Sequence, residues 1–389
     1  DGSRGFNLPL AEAAVALEIL PNVKVATNAI PGCAVRFVNA NDGTCEGVDY
    51  PLHNGRAVIV PNDPHCWTPE DPYLYDFTVE TAEDSVESYF ALRTIQCKEV
   101  RGIPRLLLNG KPYFFHGLLD QGYWPDGIYT PPSPQCYAED IRAMKALGFN
   151  TLRKHIKVEP EEFYYQCDKL GMVVFQDMVN NGDYSFFRDT ALPTVCVQKL
   201  RDKNFHRDET TRQRFLQAMK ETVQQLRNHP SILYWTIFNE GWGQFDSEAV
   251  YERLKKLDDS RIIDATSGWF RQKKSDVDSR HVYFRKVKLK GDGVKPLVLS
   301  EFGGKTYKTE GHIFNPEKSY GYGGCETIAD LNKAVAALYM DEIVPCIRNG
   351  LCAAIYTQVS DVEDEINGLL TYDRVCCKAD RETMLAISR

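Results

Sequence analysis

Residues 232–243 read ILYWTIFNEGWG, and residues 297–304 read LVLSEFGG. In each stretch a run of mostly apolar residues ends in a carboxylate, Glu240 in the first and Glu301 in the second, and glycine follows within two residues. Short apolar runs bounded by glycine are typical of buried strands, whereas acidic side chains are almost never fully buried without a partner. We therefore predict two buried strands whose ends carry functional carboxylates.

The pattern around these two stretches predicts eight strands that alternate with amphipathic helices from about residue 104 onward. Repeated strand–helix units of this number are typical of a (β/α)8, or TIM, barrel. A doubly wound sheet is the alternative fold, but no glycine-rich phosphate-binding loop follows the first strand. The predicted strands are 113–117, 150–155, 172–177, 232–239, 261–266, 281–284, 296–301 and 351–358, and the predicted helices are 135–147, 160–170, 210–227, 247–257 and 328–348.

The first hundred residues have a different character, with short strands separated by turn formers such as Asn41-Asp42-Gly43 and Asn54-Gly55. Several short strands at this spacing predict an immunoglobulin-like β-sandwich. The predicted strands are 15–20, 35–40, 56–60, 73–80 and 85–94. We therefore expect a multidomain chain, with an immunoglobulin-like sandwich over residues 1–103 and a TIM-barrel catalytic domain over residues 104–389.

The composition excludes several classes of protein. The chain has 389 residues and a net charge of −8, with 46 Lys and Arg against 54 Asp and Glu. A mild excess of acid argues against a nucleic-acid partner, because phosphate binding needs clustered cations. No apolar run approaches the roughly 20 residues that span a bilayer, so no membrane partner is expected.

Twelve cysteines are present, but none form a C-x-x-C pair and no Cys/His spacing suggests zinc. Most lie in apolar stretches, where a free thiol packs as a small hydrophobic group. We expect most of them to be reduced, which favours a bacterial cytoplasmic location. Because Asp1 is not a natural start, removal of a leader and a periplasmic or secreted location stay open.

Four predicted strand ends carry polar residues that a hydrophobic core would reject. In a TIM barrel, functional residues lie at the C-terminal ends of the strands. The fourth and seventh strands face each other, so Glu240 and Glu301 can flank one bond of a substrate, as the two carboxylates of a glycoside hydrolase do. The structural alternative is that each glutamate caps a helix or pairs with an arginine. The residues at these ends are Arg153 and His155, Asp177, Asn239 and Glu240, and Glu301.

Other aromatic and polar residues near the predicted strand ends are candidate sugar contacts. Trp242, with Trp235, is expected to desolvate Glu240 and raise its pKa, and the charge of Glu301 is expected to add to that effect. Core packing is the alternative for the aromatic candidates and for both histidines, and a buried ion pair is the alternative for Arg153. The candidates are Tyr283, Trp269, Trp242, His116 and Asp120.

Several motifs occur in a recognisable order: DPYLY at 71–75, GFN at 148–150 followed by Arg153 and His155, NE at 239–240, SEFG at 300–303 and NGL at 367–369. In this order they resemble glycoside hydrolase family 2, which includes β-galactosidases, β-glucuronidases and β-mannosidases. The resemblance covers roughly residue 65 to the end. Residues 119–127, LDQGYWPDG, are similar to those of a bacterial subgroup of the family.

The resemblance implies a retaining double displacement with Glu301 as the nucleophile and Glu240 as the acid/base. Asn239 is then expected to bind the sugar 2-hydroxyl, Arg153 to lower the pKa of Glu301, and Tyr283 to position it. No cofactor and no metal site are expected. The expected partner is a carbohydrate substrate, and a homo-oligomer stays open.

Three departures from the family pattern bear on function. The sequence predicts no N-terminal jelly-roll domain of the kind that usually precedes the family's sandwich, and whether such a domain was removed or is naturally absent stays open. Asp177 follows Gln176 where the family commonly has Asp-Glu, so it is expected to reach a different sugar hydroxyl or none. Residues 361–374 contain no Lys to bind a sugar carboxylate, which disfavours a glucuronide.

The sequence therefore predicts a retaining exo-β-glycosidase, with a β-galactoside as the first choice of substrate and a β-mannoside or other neutral β-glycoside as the alternative. The rival prediction is a non-catalytic carbohydrate-binding protein or an inactive truncated fragment. Two carboxylates held together have little use in a binding module, which favours the enzyme.

Overall fold

The computed structural model describes residues 15–18, 34–38, 45–51, 56–59, 64–80, 85–180, 182 and 201–388. Strands in its N-terminal part form two antiparallel sheets, one in the order β3-β2-β5-β6 and one that pairs β1 with β4. The predicted β-sandwich is thereby confirmed, although β3 was not predicted. These strands are β1 (Val15–Glu18), β2 (Ala34–Val38), β3 (Cys45–Pro51), β4 (Arg56–Ile59), β5 (Tyr75–Glu80) and β6 (Ser85–Phe90).

A small antiparallel sheet of β7 (Ile95–Val100), β8 (Ile103–Leu108) and β9 (Lys111–Pro112) follows the sandwich. Its buried Leu106 and Leu108 share one apolar cluster with residues at the starts of barrel strands, such as Phe115 and Val298. The sheet therefore covers the N-terminal end of the barrel. Residue 103 lies at the start of β8, inside the β7–β8 hairpin, and the domain division at this residue stays a prediction.

Eight parallel strands form the barrel predicted from the sequence. They pair in the order β14-β13-β12-β11-β10-β17-β16-β15, so that in the described part the ladder is open between β14 and β15. Most strand residues are buried, as expected for a parallel sheet that is covered on both faces. The strands are β10 (Phe115–Asp120), β11 (Thr151–Lys154), β12 (Val173–Asp177), β13 (Ile232–Asn239), β14 (Ile262–Ser267), β15 (Asp278–Val282), β16 (Leu297–Gly303) and β17 (Leu351–Thr357).

Helices pack outside most of the strands. Two of them begin at capping residues, since the Asp208 side chain accepts from the Thr211 amide and the Thr327 side chain from the Asp330 amide. The described residues between β14 and β15, and between β15 and β16, contain no helix. The helices are α1 (Gln135–Ala146), α2 (Glu161–Leu170), α3 (Glu209–Leu226), α4 (Ser247–Leu257), α5 (Ile328–Leu338), α6 (Val344–Arg348) and α7 (Arg381–Ser388), with a π-helical turn over Tyr339–Ile343.

Trp67 and Asp168 join the sandwich to the barrel. The Trp67 indole is fully buried and donates to the backbone carbonyl of Asp168 over 2.8 Å. The Asp168 carboxylate in turn accepts from the Tyr89 hydroxyl over 2.7 Å and from the Ser231 amide over 2.8 Å. The Trp67 indole N–H, the Tyr89 hydroxyl and the Asp168 carboxylate therefore all have partners in the contact that holds the sandwich against the barrel.

Two further properties concern the described residues alone. Nine of the cysteines in the described part of the chain, from Cys66 to Cys377, carry free thiols. Within the same ranges, the structure has no helix whose length and hydropathy would let it cross a membrane.

Candidate active site

The predicted residues meet at one end of the barrel. Glu240 directly follows β13, Glu301 lies on β16, Arg153 on β11 and Asp177 at the end of β12. Carboxylate oxygens of Glu240 and Glu301 lie within 4.8 Å of each other, and the Nδ1 atom of His281 lies within the same distance of both. The C-terminal ends of the strands thus bring together the two carboxylates that the sequence places about sixty residues apart.

Arg153 is the centre of the site. Its buried guanidinium donates to both carboxylate oxygens of Asp177, over 3.0 and 2.9 Å, and to the Asn239 side-chain oxygen over 2.8 Å. It also donates to Glu301 Oε1 and to the Ser300 carbonyl, each over 3.0 Å. A planar guanidinium with five donors fits such a set, and the two-pronged contact with Asp177 fixes its plane.

Asp177 does not lie where a sugar could reach it. The residue is 1% exposed, and both of its carboxylate oxygens accept from Arg153. The structure therefore favours the second half of the expectation, that Asp177 contacts no sugar hydroxyl. Its contribution is to hold Arg153 in place.

Glu301 is held from both sides. Its Oε1 atom accepts from Arg153, and its Oε2 atom accepts from the Tyr283 hydroxyl over 2.8 Å. Burial raises the pKa of Glu301 and the charge of Glu240 adds to the rise, whereas His281, Arg153 and the Tyr283 hydroxyl lower it. The expected contacts with Arg153 and Tyr283 are present, but their effect on the pKa of Glu301 is smaller than that of burial.

Glu240 has an uncommon backbone conformation and an elevated pKa. Its φ is +53°, in the left-handed region, and Gly241 follows with a φ of +74°. Burial raises the pKa of Glu240 to about 7, against the opposing charge of Arg153. The expectation that Trp235 desolvates Glu240 is wrong, because the Trp235 indole points to the end of α4, where it donates to Asp258 over 2.9 Å.

His281 is the principal site residue that sequence reasoning missed. Its Nδ1 atom lies 2.8 Å from Glu240 Oε1 and 3.5 Å from Glu301 Oε2, and its side chain is 1% exposed. Its Nε2 atom lies 2.9 Å from the Ser267 hydroxyl. The available signal was an ionisable residue two positions before Tyr283 in a predicted strand.

Asn239 and His155 complete the wall beside Arg153. The Asn239 amide nitrogen lies 3.2 Å from His155 Nε2, and that nitrogen atom lies 3.7 Å from Glu301 Oε1. Burial lowers the pKa of His155 to about 4, so its imidazole is neutral at pH 7. Both predicted residues therefore lie in the site.

Tyr283 stands next to Glu301 and packs against a further aromatic residue. Its hydroxyl lies 2.7 Å from the Thr357 hydroxyl, and its ring stacks on Tyr322 with the centroids 4.2 Å apart. Tyr322 and Thr357 were not predicted, because they come from a long loop and from the last residue of β17. The stack restricts the Tyr283 ring to the orientation in which its hydroxyl reaches Glu301.

The remaining candidates lie at or near the same barrel end with different surroundings. Trp242 is partly buried and follows the end of β13, and Trp269 is partly buried after β14. Asp120 ends β10 and forms an ion pair with the buried Lys154 over 2.7 Å. Lys154 also bonds to Glu159 over 2.8 Å, so Asp120 belongs to a buried charge cluster. Sugar contact stays a prediction for the two tryptophans and for Asp120.

The prediction that His116 ends its strand and touches substrate is wrong. The first barrel strand runs from Phe115 to Asp120, so His116 is its second residue and lies at the end opposite the carboxylates. Its ring is buried against Phe149 and Tyr339, with centroids 4.3 and 5.1 Å away. The structural alternative of core packing therefore applies.

Glu240, His281 and Glu301 are close enough to hold a metal ion by distance alone. Both oxygens of Glu301, however, already accept hydrogen bonds, from Arg153 and Tyr283. A guanidinium at 3.0 Å also repels a second cation. These contacts do not fit a metal, and we assign none to the site.

A TIM barrel with two carboxylates this close at the C-terminal ends of its strands is typical of the retaining glycoside hydrolases. Comparison with known proteins narrows the class. Residues 99–376 match the family description "Glycosyl hydrolases family 2, TIM barrel domain", and residues 35–93 match "Glycosyl hydrolases family 2". The chain belongs to glycosyl hydrolase family 2.

Individual relatives agree with this family. A β-galactosidase of Pseudoalteromonas haloplanktis is 25% identical over 276 residues, which cover 66% of this chain and 25% of the relative. A β-glucuronidase of Felis catus is 27% identical over 230 residues, which cover 54% of this chain and 31% of the relative. The chain thus spans only about a quarter to a third of these relatives.

Solved structures show the same fold. The β-D-glucuronidase of Dictyoglomus thermophilum has a TM-score of 0.74 at 16% identity, over 100% of this chain and 68% of that one. A family 2 β-galacturonidase from Eisenbergiella tayi has a TM-score of 0.63 at 18% identity, over 97% of this chain and 68% of that one. At these identities the likeness concerns the fold.

Proposed function

We propose that this chain carries the catalytic centre of a retaining exo-β-glycosidase, with Glu301 as the nucleophile and Glu240 as the acid/base. The observation that carries the proposal is the separation of the two carboxylates. Retaining enzymes hold them about 5–5.5 Å apart, whereas inverting enzymes leave about 6.5–9.5 Å for a water molecule. Oxygen atoms within 4.8 Å fit the first class.

In the first step, ionised Glu301 attacks the anomeric carbon while Glu240 donates its proton to the leaving oxygen. The pKa of about 7 keeps a large fraction of Glu240 protonated at neutral pH. Arg153 and the Tyr283 hydroxyl both donate to Glu301, which favours its ionised form and aims it. The carboxylate also stabilises the positive charge that develops on the sugar.

In the second step, Glu240 takes a proton from water, and the water displaces Glu301 from the sugar. We assign Asn239 to the sugar 2-hydroxyl, and its amide is oriented by Arg153, which donates to its oxygen, and by His155, whose Nε2 atom lies 3.2 Å from its nitrogen. A bond to the 2-hydroxyl strengthens as the transition state forms. The proton count balances over the two steps, so no further co-reactant is needed.

A β-galactoside is the first proposed substrate, supported by the curated β-galactosidase relatives. The curated β-glucuronidase relatives support a β-glucuronide as the second candidate. The lack of Lys in residues 361–374 alone therefore does not exclude a β-glucuronide substrate. Nearby Lys378 is buried in an ion pair with Asp361 at 2.7 Å, so it does not take the place of a lysine that binds the sugar carboxylate.

The test is covalent labelling. We expect an activated 2-deoxy-2-fluoro-β-galactoside, or its glucuronide counterpart, to label Glu301 with one sugar per chain, as peptide mass spectrometry will show. Glu301→Gln should abolish labelling. Glu240→Gln should slow hydrolysis of poor leaving groups far more than that of activated aryl glycosides, since only the former need an acid. A label on another residue would overturn the assignment of Glu301, and no turnover across a panel of aryl β-glycosides would support the non-catalytic alternative.

A further inference from the structure

We propose that a basic groove beside the catalytic centre binds a sulfate or carboxylate group on the leaving part of the substrate, the sugar chain beyond the bond that is cleaved. The groove lies against β15 and has a volume of about 280 Å³. The inference rests on the proposed function and adds a site that selects substrates by their charge. We call it the β15 groove, and the cationic residues that line it are Arg280, Arg285, Lys286, Lys288 and Lys290.

The β15 groove has room because β15 lacks the helical cover that most strands of the barrel have. Residues 268–277 before β15 and 283–296 after it are described throughout and contain no helix. Val282 lines the groove and belongs to the apolar cluster that the strands share with the helices. The groove therefore occupies the helix side of β15, which a complete (β/α)8 barrel would cover.

The charge around the β15 groove differs from that of the rest of the chain. The whole chain has a net charge of −8, whereas residues 271–290 contain eight Lys and Arg and only two Asp. No acidic residue is among the described residues that line the groove. Within the described part of the chain, the four basic residues of the segment 285–290 form no ion pair. Like charges in one cleft repel each other, and an anion there would relieve that repulsion.

Apolar residues hold this basic segment in place. Val287 is buried in the barrel cluster and Leu289 packs against it, whereas the lysines on either side of them are exposed. The Val287 amide also donates to the Glu342 carboxylate on the π-helical turn over 2.5 Å. Because these anchors alternate with Lys286, Lys288 and Lys290, the three lysines stay beside the groove that they line.

Arg280 adds a partly buried cation to the β15 groove. It shares the Asp278 carboxylate with Arg271, at 2.7 Å from Arg280 and 2.8 Å from Arg271. One carboxylate therefore faces two guanidinium groups and cannot neutralise both. The Nη2 atom of Arg280 makes this ion pair, its Nε atom is buried without a partner, and its Nη1 atom donates to no described residue. Charged donors of this kind bind sulfate and carboxylate oxygens well.

The catalytic centre indicates where the anion comes from. His281 lines the β15 groove, and its Nδ1 atom lies 2.8 Å from Glu240 and 3.5 Å from Glu301. Gly268 also lines the groove and follows Ser267, whose carbonyl accepts from the Glu240 amide over 3.0 Å. In the proposed mechanism Glu240 protonates the leaving oxygen, so the leaving sugar chain departs on its side. The anion is therefore a group on that chain.

Such a groove offsets an unfavourable charge on the whole molecule. A net charge of −8 repels an anionic glycan, and the carboxylates at the reaction centre add to the repulsion. Clustered cations in a cleft raise the local concentration of an anion, and salt screens this attraction beyond about 10 Å at 0.1 M ionic strength. Binding through the β15 groove is therefore expected to weaken as the salt concentration rises.

The first experiment measures binding and does not require turnover. Isothermal titration calorimetry of the full chain compares dextran sulfate, oligogalacturonate and neutral dextran, which separate a sulfate, a carboxylate and an uncharged sugar. We expect at least one charged glycan to bind, more weakly at higher salt, and neutral dextran not to bind. Binding of neither charged glycan would overturn the proposal, as would tighter binding of a DNA duplex than of either.

A variant with three lysines replaced locates the binding. Lys286→Gln, Lys288→Gln and Lys290→Gln combined should weaken binding of the charged glycan at least about tenfold, because three cations leave the groove. The corresponding three replacements by Arg keep the charge and should restore the affinity to within about threefold of wild type. Loss of binding in both variants would point to an effect on the fold of the segment and count against the proposal.

The matched control removes the same charge from exposed positions on three helices, as Lys220→Gln, Lys256→Gln and Lys333→Gln combined. Its affinity for the charged glycan should stay within about threefold of wild type, since these positions lie outside the groove lining. An equal loss in this control would show that only the net charge of the chain matters.

The second experiment connects the β15 groove to the reaction. Lactose, lactobionate and lactose sulfated on its glucose share a β-galactoside and differ in the charge of the leaving part. We expect kcat/KM to be higher for at least one charged substrate than for lactose, and this ratio to fall roughly tenfold in the Lys→Gln groove variant, mainly through KM. An unchanged ratio would contradict the proposal. Failure of the proposed function is separate, because Glu301 would then stay unlabelled while calorimetry still reports binding.

Discussion

Glu240 combines two unfavourable properties at one residue. Its left-handed backbone, with a φ of +53°, costs a non-glycine residue about 1–2 kcal/mol. Burial also disfavours its ionised form and raises its pKa to about 7. Strain of this kind persists where the surrounding structure fixes it, and it concentrates at functional sites. Glu240, the proposed acid/base, therefore destabilises the folded chain relative to a residue chosen for stability alone.

The elevated pKa of Glu240 makes its effect on stability depend on pH. The folded-state pKa of about 7 lies above the usual value of 4.5. Between these values the folded state binds more protons than the unfolded state, so stability falls as pH rises. Glutamine does not titrate. We expect Glu240→Gln to raise the free energy of unfolding by about 1–2 kcal/mol at pH 8 and by little at pH 4, as measured by urea denaturation.

The control for this prediction is Glu99→Gln at an exposed position of β7. It should change stability by less than about 0.5 kcal/mol, and equally at the two pH values. A Glu240→Gln variant with the same difference from wild type at pH 4 and pH 8 would contradict the elevated pKa.

The site residues at strand ends were predictable from the sequence. An ionisable group that follows a buried apolar strand is expected at the C-terminal mouth of the barrel, where functional residues lie. Glu240, Glu301, Arg153 and Tyr283 belong to this group. His281 was not found, because β15 has the polar sequence DSRHV and the predicted strand began three residues late. His116 was expected at the wrong end of its strand, because the predicted strand began two residues before the observed one.

At the scale of elements, the end of β16 is fixed by glycine. Gly303 has a φ of +89°, and a Cβ atom there would lie 2.3 Å from the Tyr356 ring. Glu301 lies two residues earlier on the same strand, so the backbone can turn at the mouth of the barrel only if position 303 lacks a side chain. The sequence pattern Glu-Phe-Gly therefore has a local steric cause.

We predict that Gly303→Ala destabilises the protein by about 2–4 kcal/mol and lowers kcat, because both the positive φ and the Tyr356 ring oppose a methyl group. Gly311→Ala is the matched control, since Gly311 has a φ of +79° and open space around the position of a Cβ atom. It should cost only about 1 kcal/mol. Thermal unfolding and kcat of both variants check this. Equal losses would mean that the ring contact is unimportant.

The strands of the barrel and all its helices except α7 were predictable from periodicity, and their bounds agree within a few residues. Residues 232–239 are the clearest case, because the apolar run and its flanking turns leave little choice of register. The small sheet of β7, β8 and β9 was not predicted as a unit. Its packing on the starts of the barrel strands depends on tertiary contact, which local pattern does not report.

At the scale of the whole molecule, Trp67 makes one of the buried contacts between the sandwich and the barrel. Trp67 is fully buried and its indole donates to Asp168, far along the chain and at the end of the barrel away from the carboxylates. Because large side chains such as Trp67 and Arg93 are fully buried at this interface, we expect the described parts of the two units to unfold together.

We predict that Trp67→Ala costs about 3–5 kcal/mol, through the cavity it leaves. Trp67→Phe should cost less, about 1–2 kcal/mol, because it mainly leaves the Asp168 carbonyl without its donor. Circular dichroism in urea should show one transition in each case, with kcat unchanged well below the transition. Tyr113→Phe, which removes an exposed bond to Glu70, should change stability by less than about 0.5 kcal/mol. Two separate transitions would show independent units.

The opening between β14 and β15 has a mechanical consequence. Glu240 follows β13 and is tied to the β14 side, since its amide donates to the Ser267 carbonyl, whereas Glu301 and Tyr283 belong to the β15–β16 side. Backbone ladders join the two sides only the long way around the sheet. Across the gap, the Asp276 amide just before β15 donates to the Ile263 carbonyl of β14 over 2.9 Å, and the side chains of Ser267, Ser279 and His281 add contacts nearer the carboxylates. We therefore expect the distance between the two carboxylates to depend on the few contacts that join β14 to β15, and to change when they are removed.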